Sequence, residues 1–197
     1  MENDGVKIVG LAGSLRRASF HRGLIRAARE LAPDDVTVEP YELLDEIPFF
    51  NQDVENLGNP APVKRFKEMI DQADAVLIAT PEYDYAIPGV LTNALDWALR
   101  PPSPFRHKPV GIVGASPSNV GTARGQMVLR QILLHPPAYV MPDPPMLIPY
   151  ALERFDEQTG NLVDERTRER MKRFLEALVE WTERFKMNLT AHHRSGA

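Results

Sequence analysis

An apolar run from Val6 to Ala12 gives way to the loop Gly13-Ser14-Leu15-Arg16-Arg17-Ala18-Ser19, and that loop to a helical pattern from Phe20 to Leu31. The same exchange of strand for helix recurs along the chain. Apolar runs near residues 6–12, 36–42, 75–80, 109–115 and 138–148 alternate with helical periodicity near 20–32, 61–72, 89–99, 122–134 and 164–186. Strict alternation of this kind predicts an α/β fold, a doubly wound five-stranded parallel sheet of order 2-1-3-4-5 between two layers of helices. Prolines between 136 and 149 are expected to leave the fifth strand short. A single domain is expected over residues 1–187, with a polar, disordered tail over 188–197.

That strand order is the flavodoxin-like arrangement, in which ligands bind beyond the carboxyl ends of the strands where the order reverses. The loops after strands 1, 3 and 4 should therefore carry the unusual residues, and they do. The first is the Gly/Ser/Arg loop, followed directly by a helix. Backbone N–H groups, the helix N-terminus, the Ser14 and Ser19 hydroxyls and the Arg16 guanidinium together suit a phosphate. It contains neither G-x-x-x-x-G-K-[ST] nor G-x-G-x-x-G with its acidic partner, which leaves a monophosphate cradle. A plain βα turn, with Ser19 as helix cap and the arginines in solvent, is the competing reading.

After strand 3 comes Pro81-Glu82-Tyr83-Asp84-Tyr85-Ala86-Ile87-Pro88-Gly89, a stiff, aromatic turn able to flank a flat ring. After strand 4 comes Gly114-Ala115-Ser116-Pro117-Ser118-Asn119-Val120-Gly121-Thr122, in which Gly114, Ser116, Asn119 and Gly121 suit the carbonyl edge of a heterocycle. A phosphate end, a flat middle and a carbonyl edge outline FMN. Each of the two loops also reads as an ordinary turn when taken alone.

Composition narrows the chemistry. The chain has 197 residues, 43% hydrophobic, and no cysteine, so redox chemistry has to come from a bound cofactor. Its five histidines lack metal-ligand spacing, and no metal site is expected. A net charge of −4 argues against nucleic acid as a partner. With no long apolar span and no basic-then-apolar leader, the expectation is a cytoplasmic protein with no membrane partner.

The segments GSLRRAS, PEYDYAIPGVLTNALDW and GASPSNVG, in that order and spacing, resemble the NADPH-dependent FMN reductase family, flavodoxin-like enzymes that include azo, quinone and chromate reductases. The resemblance runs from about residue 7 to 180. It implies that Ser14, Arg16, Ser19, Phe20 and His21 surround the FMN phosphate. It places Pro81, Glu82, Tyr83, Asp84 and Tyr85 beside the ring and ribityl chain, and Ser116, Asn119 and Gly121 at the pyrimidine edge. NADPH or NADH is implied as hydride donor, with a small-molecule acceptor: quinone, free flavin, azo compound or metal oxyanion. Arg100, Arg106 and Lys108 are candidates for the 2′-phosphate of NADPH. A homodimer or homotetramer is implied, with Phe49, Phe50 and the Trp97 helix able to supply apolar contact. No catalytic side chain is required.

Two positions depart from the family pattern, His21 and Asp84, where the family usually has Asn. A carboxylate beside the flavin is expected either to lower its reduction potential or to have its own pKa pushed upward. Tyr85 stands where small residues are common. A flavodoxin-type electron carrier, without a substrate of its own, is the alternative function.

Overall fold

The computed structural model describes residues 5–194. Six strands and six α-helices alternate: β1 (Val6–Ala12), α1 (Phe20–Leu31), β2 (Val36–Tyr41), α2 (Gln52–Asn56), α3 (Ala61–Asp71), β3 (Ala75–Ala79), α4 (Gly89–Ala98), β4 (Pro109–Ala115), α5 (Ala123–Ile132), β5 (Tyr139–Val140), β6 (Met146–Ile148) and α6 (Glu165–Arg194). The strands form one parallel sheet of order β2-β1-β3-β4-β5, with β6 also paired to β4.

Burial explains the order. Every residue of β3 and β4 is buried, as central strands covered on both faces must be. β2 alternates between buried and exposed residues over its first four positions and holds an edge, where Pro40 withholds no hydrogen bond from a further strand. On one face α1 and α6 bury Leu24, Ala28, Phe174 and Leu178; on the other α3 and α4 bury Phe66, Ile70, Leu91 and Trp97.

The expected fifth strand is two pieces. β5 pairs with Pro109 and Val110 of β4 and β6 with Val113–Ala115, the two being separated by Met141–Pro145, where Pro142 and Pro144 lack the N–H a ladder needs. The short helix α2, capped by the Asn51 side chain on the Asp53 N–H at 2.8 Å, was not expected, because five residues are too few for a periodic signal. Helix α6 runs through Arg194, and the end of the tail expected from residue 188 lies outside the described residues. No Gly or Pro interrupts residues 165–194, and the first breaker, Gly196, lies outside the described residues.

Candidate active site

The loop of residues 13–19 leaves β1 under tight constraint. The Gly13 N–H donates to the Ala79 carbonyl at 2.9 Å, and a Cβ on Gly13 would stand 3.2 Å from both Leu91 and Pro81. Ser19 caps α1: its hydroxyl oxygen accepts from the N–H groups of His21 at 3.1 Å and Arg22 at 3.4 Å, and its proton remains free to be donated. Ser14 is only 6% exposed, and among the described residues its hydroxyl has no hydrogen-bond partner. Arg16 folds back over the loop, donating to the Ala18 carbonyl at 2.7 Å and lying 5.0 Å above the Phe20 ring. No carboxylate among the described residues pairs with it.

Beyond β3 the chain makes a two-residue hairpin. Tyr83 and Ala86 exchange both backbone hydrogen bonds, at 3.0 and 2.9 Å, around Asp84 and Tyr85 at φ 50° and 66°. Two positive φ values make this the turn that favours Asn-Gly. Asn in the family at position 84 thus has a backbone reason, and Asp tolerates the same conformation. Glu82, whose side chain is 10% exposed, spends its carboxylate on α5: one oxygen accepts from the N–H groups of Arg124 and Gly125, both at 3.0 Å, and the other pairs with the Arg124 guanidinium at 3.1 Å. Arg124 in turn lies 4.1 Å over the Tyr85 ring.

The loop after β4 differs from expectation. The Ser116 N–H, anticipated as a ligand donor, donates to the Ile148 carbonyl at 3.0 Å, and the Ser116 hydroxyl meets that of Ser118 at 2.8 Å. Gly121 faces inward: at φ 56°, a Cβ there would come within 2.8 Å of the Ile148 backbone, so the glycine serves the packing of β6. Asn119 is exposed.

His21 sits between the loops. Its Nε2 accepts the Ala115 N–H at 3.3 Å, and burial holds its pKa down at about 3; Arg16 lowers it further, while hydrogen bonding with the Ala115 and Thr80 backbone offsets only part. The imidazole is therefore neutral near pH 7, and this nitrogen is an acceptor. The phosphate donor expected at His21 is not formed by Nε2.

The three loops meet in one open cleft of about 200 Å³. Ser14, Arg16, Ser19, Phe20 and His21 line its first side, Pro81, Glu82 and Tyr83 its second, and Ala115, Ser116 and Pro117 its third. Asp84, Tyr85, Asn119 and Gly121 do not line it. Ala115 and Pro117 were missed, since nothing in their residue types signals a ligand. The residues present fit FMN. The solvent-reachable Ser14 hydroxyl, which has no partner among the described residues, a capping hydroxyl with a free proton and an unpaired guanidinium converge on a helix N-terminus, as a phosphate requires.

The candidates for a 2′-phosphate lie elsewhere. Arg100 pairs with Glu55 at 3.0 Å, and Lys108 donates to the Asp71 and Ala73 carbonyls at 3.2 and 2.5 Å. With Arg106 they precede β4, so its seven residues put about 20 Å of strand between them and the cleft within one chain. Trp97 is fully buried, its Nε1 donating to the Pro48 carbonyl at 2.8 Å, so any contact made by this helix would come from its other residues.

A flavodoxin-like sheet with a phosphate cradle after β1 and an aromatic wall after β3 defines a flavoprotein of the reductase type. Residues 6–153 match the model of the family described as NADPH-dependent FMN reductase, and the chain belongs to that family. It is 43% identical over 185 residues to an NAD(P)H-dependent FMN reductase of Pseudomonas aeruginosa, covering 93% of this chain and 99% of that one. It is 38% identical over 187 residues to a quinone reductase of Escherichia coli K12, covering 94% and 100%. Among solved structures, the flavoenzyme NAD(P)H:(acceptor) oxidoreductase FerB of Paracoccus denitrificans superposes with a TM-score of 0.82 at 32% identity, covering 91% of this chain and 98% of that one.

Proposed function

We propose that the protein oxidises NADPH or NADH and delivers the two electrons, by way of FMN, to a small acceptor, in the first instance a quinone. The observation that carries this reading is the convergence of the partnerless Ser14 hydroxyl and the unpaired Arg16 on the start of α1. Bound there, FMN supplies the centre that takes up and gives out hydride.

The side chains bind and orient. Ser14, Arg16, Ser19 and the first turn of α1 hold the phosphate. Pro81 and Tyr83 would hold the flavin ring from one side of the cleft, and Ser116 and Pro117 from the other. Glu82 fixes the wall by capping α5, so the second and third loops keep one spacing. Tyr83 is 54% exposed at the mouth of the cleft, where nucleotide and acceptor would take turns. No cleft residue is assigned a proton transfer, and the neutral His21 is turned to the backbone of β4. A homodimer or homotetramer in the cytoplasm accompanies this reading; Phe49 and Leu57, 88% and 91% exposed, are the apolar side chains most in need of cover. No helix among the described residues is long and apolar enough to cross a membrane.

The test is anaerobic mixing of the FMN-loaded protein with NADPH and with NADH, no protein partner being present, followed by a quinone. Loss of the visible flavin absorbance and its return on adding quinone are expected. An electron carrier would not oxidise either nucleotide alone.

A further inference from the structure

A second cleft, of about 160 Å³, opens on the other side of the phosphate loop, between α1 and the carboxyl end of the edge strand β2. Its floor is mainly apolar, formed by Gly10, Ala12, Ile25, Pro40 and Leu44, and it is also lined by Tyr41, whose buried hydroxyl has no hydrogen-bond partner among the described residues. Leu15, 48% exposed, forms part of the lip. Three guanidiniums stand along the α1 side, Arg22, Arg26 and Arg29, spaced so that they share one stripe of the helix.

This stripe is poorly explained by the fold. Arginines at these spacings repel one another. Arg26 is anchored on Asn161 at 2.7 Å and on the Thr159 carbonyl at 2.8 Å, yet the side chains of Arg22 and Arg29 have no hydrogen bond or ion pair among the described residues. Glu42, the one carboxylate lining the cleft, pairs with none of the three. An apolar floor under unsatisfied cations, in a protein of net charge −4, is a concave site with a few placed polar groups. Its size decides the ligand class: an apolar cavity of about 150 Å³ takes one benzene ring, and drug-sized ligands need roughly 300 Å³ or more.

We propose that this cleft binds a single-ring aromatic acid, with the ring against Ile25, Pro40 and Leu44 and the carboxylate on Arg22 and Arg29. The site is separate from the flavin cleft and shares none of its lining residues.

The test titrates benzoate into the FMN-loaded protein by calorimetry, with benzyl alcohol and acetate as probes that lack the charge or the ring. One benzoate per chain is expected, with a dissociation constant on the order of 1 mM for a ligand of about nine heavy atoms. Benzyl alcohol and acetate should bind about tenfold more weakly or worse, and Arg29→Gln should weaken benzoate by about tenfold. Arg29→Gln should leave FMN content and NADPH oxidation unchanged, since its side chain has no hydrogen bond or ion pair among the described residues. The proposal is overturned if benzoate does not saturate, if Arg29→Gln binds it equally, or if NADP+ displaces it, which would put it at the flavin.

Discussion

His21 Nε2 accepts the Ala115 N–H across 3.3 Å, joining the first turn of α1 to the end of β4 beneath the cleft. A protonated imidazole would present a donor to that donor. With its pKa at about 3 in the fold and about 6.5 in the unfolded chain, the unfolded state binds the extra proton between those values. Stability is therefore full above pH 6.5 and is lost as pH falls from there towards 3, by up to about 1.4 kcal/mol per unit. His21→Asn, which restores the residue usual in the family, should flatten this loss. Urea midpoints of both proteins at pH 7, 5.5 and 4.5 check it: parallel declines would mean carboxylates alone set the acid limb.

Glu82 and Arg124 set the spacing between the second and third loops. Glu82→Ala should cost about 1–2 kcal/mol, the worth of a helix cap with a charge-assisted bond, and weaken FMN by loosening the wall. Glu82→Gln keeps one acceptor and should lose less. Urea denaturation and FMN titration of both variants decide it; an unchanged FMN affinity in Glu82→Ala would detach this wall from the cofactor.

At Gly23 a Cβ would run into the Gly160 carbonyl, and Gly160 itself lies against the backbone of Ala18 and Ser19. Gly23→Ala should therefore destabilise by about 1–3 kcal/mol and shift the start of α1, with a loss of FMN affinity. At Gly89 a Cβ would meet nothing within 4 Å, so Gly89→Ala should be neutral or stabilising by about 0.4–1 kcal/mol. Thermal melts of the pair, with and without FMN, test the contrast.

Asp84 is exposed at the hairpin tip and does not line the cleft. Asp84→Asn should accordingly leave the flavin potential unchanged, contrary to the expectation raised by the family pattern, while Tyr85→Gly should relieve about 1 kcal/mol at a φ of 66°. A two-electron potential that rises in Asp84→Asn would restore the electrostatic reading.

The alternation of strands and helices was legible because period-two and period-3.6 patterns are local, the sheet order followed from that alternation, and the hydroxyls and guanidinium of residues 13–19 read as one group because they sit in one short loop. What stayed hidden depends on pairs distant in sequence. Ser116 reads as a free donor until Ile148 takes its N–H, Gly121 as an open approach until β6 fills it, and Glu82 as a ligand until Arg124 and Gly125 claim its carboxylate. Asp84 and Tyr85 follow the lining residues Pro81, Glu82 and Tyr83 in sequence, at the exposed tip of the hairpin and outside the cleft lining.

The central claim is that the cleft at the start of α1 is built for a terminal monophosphate. Titration of the cofactor-free protein with FMN and with riboflavin, followed by flavin fluorescence, tests it most directly. Riboflavin should bind at least about 100-fold more weakly, the worth of two charge-assisted hydrogen bonds, and Arg16→Ala should narrow that gap by about tenfold or more. Equal affinities for the two flavins, or a gap untouched by Arg16→Ala, would contradict the account.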